Sequence, residues 1–185
     1  MMGIIIGRME ESDISRILKI QAENQRDHVT PSRRKEGYLS IAFSADEFRG
    51  FDQDLCVVVA KEDREVIGYC CISSSGFNAR FPILDQIVAR LSSFPLPGSK
   101  HVPVKEKTCI YGPVCVSLSH RGRGVLSKLS SFGLKTAKER GYSHCLSFIS
   151  TENVHSIRAH RRLFFHRVGM VHHNGKEYMV IGIAL

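Results

Sequence analysis

The spacing of apolar and polar residues changes along the chain, and each change marks an element. Ile4 to Arg8 is a short apolar run that reads as a first strand. Beyond it Ile14, Ile17, Leu18, Gln21 and Ala22 follow helical spacing with one polar interruption, and Asp13 stands where a cap belongs. Arg26 to Ile41 has no clean period and contains Thr30-Pro31-Ser32 and Arg33-Arg34-Lys35, which marks a connecting loop. Ser44-Ala45-Asp46-Glu47 has capping-box spacing and starts a short helix through Phe48 and Phe51. Leu55 to Ala60 and Val66 to Ile72 are β-rich runs joined by the polar turn Lys61 to Glu65, so they read as an antiparallel pair.

Phe77 to Val104 is the least regular part. Ile83, Leu84, Ile87, Val88 and Leu91 make a short amphipathic helix, and Pro95, Pro97 and Gly98 break any regular element beyond it. Residues 77–104 read as an insertion whose apolar face folds over a binding site, packs on the core or meets a second copy of the chain. Strand character resumes from Thr108 to Leu118, interrupted by Gly112-Pro113, because proline cannot donate to a ladder and glycine in a strand marks a bulge. A helix begins at Val125, with Leu126, Leu129 and Phe132 on its apolar side; it stops near Gly141, where Lys135, Lys138 and Arg140 suit the negative end of its dipole. His144 to Ile149 is a further strand, Asn153 caps a helix with Ile157, Leu163 and Phe164 among its apolar residues, and Glu177 to Leu185 closes the chain as a strand after a turn at Gly175. The order strand, loop, helix, strand implies parallel strands flanking the Leu126 helix. The fold class expected is α/β, a mixed sheet of about six to seven strands flanked by helices.

At 185 residues and 43% apolar content the chain suits one domain spanning 1–185 with a core of its own. No apolar run approaches the roughly 20 residues of a membrane span, and charge comes directly after Ile4-Ile5-Ile6, so the expectation is a cytoplasmic chain without a membrane partner. The six cysteines fall mostly in apolar strand-like runs without metal-ligand spacing, which predicts buried reduced thiols and no metal site. Charge is uneven: the whole net charge of +8 resides between Leu118 and Val168. A basic face can serve nucleic acid, an acidic membrane or a phosphorylated cofactor. Aromatic residues are not interleaved with these cations as base-stacking readers need, so nucleic acid is not the expected partner.

That basic segment contains Arg121-Gly122-Arg123-Gly124-Val125-Leu126 at the mouth of a helix. The first turn of a helix has N–H groups without intrahelical partners and carries partial positive charge, so it binds anions. Gly122 and Gly124 lack a Cβ, which lets an oxygen-rich ligand reach the main chain, and Arg121 and Arg123 add charge. The dinucleotide fingerprint needs glycine or alanine where Ser127 stands, and the P-loop needs lysine after its last glycine, where Val125 stands. A phosphate or pyrophosphate on a different kind of loop is the reading that fits.

The stretch resembles the acetyl-CoA loop of the GNAT N-acetyltransferase superfamily, Arg/Gln-x-x-Gly-x-Gly/Ala between a strand and a long helix. Arg121, Gly122, Arg123, Gly124 and Val125 match it, and Leu126 departs at the last position. A second match is to the family's Asn-x-x-Ala/Ser, Tyr, Gly-Phe, Gly pattern at Asn153, Ser156, His160, Phe165 and Gly169, with His160 in place of tyrosine and Phe164 in place of glycine. The resemblance implies a GNAT-like fold whose strand before the glycine loop is splayed or bulged, and acetyl-CoA as cofactor. It implies phosphates on Arg121 to Leu126, the pantetheine arm on Val114, Cys115 and Val116, and further cofactor contacts from Asn153, Ser156 and His160. The function implied is acetyl transfer to an amine by direct attack, the acceptor being a small molecule or a peptide. His160 could donate a proton to the leaving thiolate or contact the cofactor. For the base, Glu106, Tyr111 and His101 lie before or on the bulged strand, and a water chain would also serve. The missing tyrosine keeps a noncatalytic acyl-CoA-binding module as the alternative, and whether the chain forms a homodimer stays open.

Overall fold

The computed structural model describes residues 3–99, 101 and 103–185, so Met1 and Met2 of the expected span 1–185, and Lys100 and Val102 of the expected insertion, lie outside the described residues. Seven strands form one mixed sheet in the order β1-β2-β3-β4-β5-β7-β6. They are β1 (Ile5–Arg8), β2 (Cys56–Glu62), β3 (Glu65–Ser74), β4 (Thr108–Val116), β5 (His144–Ser150), β6 (His166–His173) and β7 (Lys176–Ala184). Every neighbouring pair is antiparallel except β4 and β5, which run parallel on either side of a crossover helix. Six helices accompany them: α1 (Ile14–Asn24), α2 (Ala45–Asp54), α3 (Ser75–Asn78), α4 (Pro82–Val88), α5 (Val125–Glu139) and α6 (Val154–Arg161).

Strands β2 and β3 are buried on both faces, which is why they read as continuous apolar runs. Alternate residues serve opposite layers: Val58, Cys70 and Ile72 pack with α5, while Val57, Val59 and Tyr69 pack with α1 and α2. Helix α5 buries the stripe Val125, Leu129, Gly133 and Ala137, and Phe132 lies at its margin, 36% exposed. The expected apolar side is thereby turned by one position. The reason is a close approach: a Cβ on Gly133 would stand 2.9 Å from Ile72 Cγ1, so only glycine lets the helix settle on β3. That contact fixes where the N-terminus of α5 points.

β4 is interrupted as expected. Its register on β3 passes from Ile72↔Tyr111 to Cys70↔Val114, so Gly112 and Pro113 together oppose Cys71 in a bulge. On its other side β4 pairs with β5 only through Thr108, Cys109 and Ile110. Beyond Ile110 the two strands diverge, and the β5-facing edge of β4 has no strand partner.

Three local expectations change. Asp13 does not cap α1 at its own position; a turn of 3-10 helix over Glu11–Asp13 comes first, and the Asp13 carboxylate reaches back to accept from the Glu10 N–H at 2.9 Å. Leu163 and Phe164 lie past the end of α6, because Phe164 takes a left-handed φ of 65° and the Phe165 N–H returns to the His160 carbonyl at 3.2 Å. This is the place where the family pattern has glycine. Residues 166–173, which carry no clear period in the sequence, form strand β6. The Ser44 capping box and the Asn153 cap are present as expected.

Residues of the irregular 77–104 stretch supply a third apolar cluster, in which Ile83, Ile87, Leu91 and Phe94 pack on Ile110, Leu146 and Val180. All six cysteines are free and buried. Among the described residues no helix is long and apolar enough to cross a membrane, and no group of three or more His, Cys, Asp or Glu could hold a metal.

Candidate functional site

The gap between β4 and β5 opens into two cavities, one toward α5 and α6 and one toward α2, α3 and α4. Both are lined by Tyr38, Leu39, Val114, Ser156 and His160, so they meet at those residues.

The first cavity, about 420 Å³, lies at the start of α5 and is lined by Val114, Cys115, Val116, Arg121, Gly122, Gly124, Val125 and Leu126. Gly122 and Gly124 both take φ of 76°, and a Cβ on either would meet nothing within 4 Å. They are glycines for their conformation, and the main chain above them is open. No side chain caps the helix N-terminus. An acyl-CoA fits this place: bare amides with partial positive charge face the cavity for its phosphates, and the unpaired edge of β4 runs beside it for an amide-bearing arm.

The two arginines behave differently from free charges. Arg121 is tied into the protein, donating to the Glu36 carbonyl, to Asn24 Oδ1 at 2.7 Å and to the Val116 carbonyl at 3.2 Å. Arg123 is exposed and forks onto Glu62 at 2.5 and 3.0 Å, and His120 joins the same carboxylate at 3.3 Å. The Arg123 contact holds the Glu62 carboxyl below its ordinary range. The groups left open at the mouth of α5 are therefore the backbone of Gly122 to Leu126 rather than the two guanidinium groups.

His160 stands at the junction, 4% exposed. Its Nδ1 lies 2.8 Å from the Ser156 carbonyl, which can only accept, so Nδ1 carries the hydrogen and Nε2 is a lone pair. Among the described residues Nε2 has no hydrogen-bond partner. Burial lowers the pKa of the ring, opposed in part by the Ser156 carbonyl, so the neutral form prevails at pH 7. Tyr111 and Phe165 hold the ring edge-on, with centroids 5.4 and 5.8 Å away.

Of the other candidates, Tyr111 is buried on the α5 face, where its hydroxyl shares a hydrogen bond of 2.7 Å with Ser130 Oγ. Burial pushes its pKa well up, which removes it as a proton acceptor near neutrality. Glu106 lies on an exposed 3-10 turn over Lys105–Lys107 and lines neither cavity, and His101 is exposed and lines neither. Asn153 caps α6 by accepting from the Ser156 N–H at 3.3 Å, and its Nδ2 donates to the Tyr38 carbonyl at 2.8 Å. It braces the wall between the cavities.

That wall is the stretch around Glu36 to Phe43, most of which reads in the sequence as a connecting loop and which the family resemblance sets on the acceptor side. Gln21 is buried and makes a pair of bonds to the main chain of Phe43, Nε2 donating to the carbonyl at 2.8 Å and Oε1 accepting from the N–H at 2.9 Å. The Asn24 carbonyl accepts from the Leu39 N–H at 2.8 Å. Gln21 and Asn24 thus hold this wall against α1, although the helical pattern shows Gln21 only as a polar interruption. Their signal was present: polar side chains on the core side of an amphipathic helix are buried only where they hold something.

The profile of the Acetyltransferase (GNAT) family matches residues 14–165. No curated protein sequence matches the chain. Solved structures with the same fold include an N-acetyltransferase from Staphylococcus aureus Mu50, 18% identical with a TM-score of 0.67 over 99% of each chain. A ribosomal-protein-alanine N-acetyltransferase from Brucella melitensis is 19% identical, with a TM-score of 0.66 over 98% of this chain and 99% of that one. The yncA protein from Salmonella typhimurium, solved with its cofactor acetyl-CoA, is 17% identical, with a TM-score of 0.65 over 98% of this chain and 93% of that one.

Proposed function

The chain belongs to the GNAT acetyltransferase family, and from that premise we propose that it is an N-acetyltransferase that uses acetyl-CoA to acetylate a primary amine by direct attack. The observation that carries this reading is the meeting of two cavities at one buried imidazole, one cavity with a helix N-terminus and one with an apolar lining. Acetyl-CoA, when bound, supplies an acetyl thioester, the electrophile for the amine.

The chain's own residues do the rest. The amides of Gly122, Gly124 and Val125 bind the phosphates through hydrogen bonds and the dipole of α5. The unpaired edge of β4 orients the pantetheine arm, and its bulge brings backbone N–H groups to the place where negative charge develops on the acetyl oxygen. His160 Nε2 takes the proton that the amine loses on attack. Once protonated, the buried imidazolium gives the proton up readily, because burial disfavours its charge. His160 thus acts first as a base and then as an acid, which makes a separate carboxylate base unnecessary.

Two assays test this: calorimetry with acetyl-CoA, and release of free CoA thiol across a panel of primary amines. Binding with amine-dependent thiol release is expected. Binding with no transfer to any amine would favour the noncatalytic acyl-CoA-binding module, which the histidine at the usual tyrosine position keeps as a second reading. A cytoplasmic location, where acetyl-CoA is available, accords with the proposal.

A further inference from the structure

The second cavity carries a chemical selection in its walls. Its volume is about 120 Å³, near the 150 Å³ or so of an engineered cavity that admits benzene, so it has room for roughly one ring. One side is a rigid aromatic cluster: Phe43 meets Phe51 at 5.1 Å and Phe81 at 5.5 Å, and Phe51 stacks on Phe81. Among the described residues that line it there is no Asp, Glu, Lys or Arg. An ammonium brought inside would therefore lose its water without gaining a counterion.

Two residues of this wall, Tyr38 and Asn78, each carry a buried polar atom without a hydrogen-bond partner among the described residues. Asn78 is fully buried, and its Nδ2 donates to Ser73 Oγ at 2.6 Å and to the Ser74 carbonyl at 2.7 Å. A carbonyl can only accept, so the amide orientation is determined and Oδ1 is the other atom. Oδ1 has no hydrogen-bond partner among the described residues, but it is closed off from the cavity, with less than 1 Å² exposed, so it adds no open polar group to the wall. Outside, Arg26, Arg34, Lys35 and Arg158 gather around Tyr38, which also lines this cavity, and Glu152 among them pairs with Arg26 at 3.0 Å, so cations outnumber carboxylates there. These cations discourage an acceptor with a second positive charge.

We propose that the acceptor is an arylalkyl monoamine: a primary amine on a short chain ending in one ring, with no second cationic group. The inference rests on the reading of the chain as an N-acetyltransferase. The step balances as amine plus acetyl thioester giving amide plus free thiol: an N–C bond forms, the C–S bond breaks, and one proton passes from nitrogen to sulfur through His160. The apolar walls favour the neutral amine, the form that attacks.

The test uses the full chain with acetyl-CoA and four acceptors: 4-hydroxyphenethylamine, phenethylamine, 1,5-diaminopentane and an alanine-initiated peptide. Thiol release gives kcat/KM, calorimetry gives acetyl-CoA binding, and thermal shift with CoA reads binding of the N-acetylated products. Both arylamines should exceed the diamine by ~10²-fold, since the diamine must desolvate a second charge. Ser40 is exposed and lines the cavity, and Ser40→Asp should improve the diamine relative to phenethylamine by ~10-fold by supplying the missing countercharge. If the diamine or the peptide is preferred while acetyl-CoA binds normally, this inference is overturned and N-acetyl transfer stands. Failure to bind acetyl-CoA overturns the underlying reading. Acetyl-CoA binding without acetylation of any amine, and without a thermal shift from the acetylated arylamines, overturns both.

Discussion

The two cavities that meet at His160 are built in opposite ways. The one at the start of α5 is made by a contiguous run, Arg121 to Leu126, and what it offers a ligand is main chain. The one beyond the β4–β5 gap is made by side chains from separate stretches, among them Phe43, Phe51, Asn78, Phe81 and Phe148. A site of amides tolerates exchange of its side chains and fails when its backbone is forced. A site of side chains does the reverse, and it depends on whatever holds its segments together.

The largest expected effect strikes the point shared by both. His160→Phe removes the proton acceptor while keeping a ring of similar shape, so turnover should fall by ~10²–10³-fold. Acetyl-CoA affinity by calorimetry should change less than about 3-fold, since no bond to the ring is needed for phosphate binding. Unchanged turnover would take His160 out of the mechanism. The same residue sets a pH dependence. Its folded pKa lies below the unfolded imidazole value, so the unfolded chain takes up the proton first as pH falls. The stability that His160 contributes is fully present above about pH 6.5 and is lost as pH drops from there through the lowered folded pKa. Urea unfolding at pH 7.5 and pH 5 should show a smaller acid loss in His160→Phe than in the parent.

Next comes a change confined to the amide-built cavity. Gly124→Val places a β-branched residue at φ 76° and should weaken acetyl-CoA binding by ~10²-fold, by forcing the loop out of the left-handed region. A smaller effect should separate the other cavity. Gln21→Leu leaves the Phe43 N–H and carbonyl buried without their partners, which should raise the acceptor KM by ~10-fold as the wall shifts. Acetyl-CoA affinity should stay as it was; if it falls equally, the two cavities are not independent. The smallest effect belongs to Arg123→Lys, about 2-fold or less in acetyl-CoA affinity, since an exposed cation paired with a carboxylate adds little. If Arg123→Lys costs more than Gly124→Val, side-chain charge governs the loop and the contrast between the cavities collapses.

The same contrast explains what was legible in the sequence. A site made by consecutive residues leaves its letters together, so Gly122, Gly124 and the helix from Val125 could be read directly, and the bulge at Gly112-Pro113 announced itself by two residues that fit a ladder poorly. Asn153 was readable as a cap, though its bond to the Tyr38 carbonyl was not, because that bond spans 115 positions. The side-chain cavity was harder to read for this reason: the polar positions on the core side of α1 hint at it, but Gln21, Phe43 and Asn78 come together only once the sheet has formed. Strand β6 was missed because it is an edge strand with exposed positions such as His166, Arg167 and His172, so neither period dominates. Phe164 was misplaced in α6 because hydrophobicity pointed inward, whereas the chain uses it in a left-handed turn, 76% exposed, where glycine would be easier.

Burial of the six cysteines has a practical consequence at the bench. Removal from water raises the thiols of Cys56 and Cys115 to about 12, and those of Cys70, Cys71 and Cys145 well upward. With all six sulfurs shielded by burial, the folded protein should be nearly colourless to an aromatic disulfide reagent. Turnover can then be monitored continuously by absorbance, each chromophore counting one molecule of product.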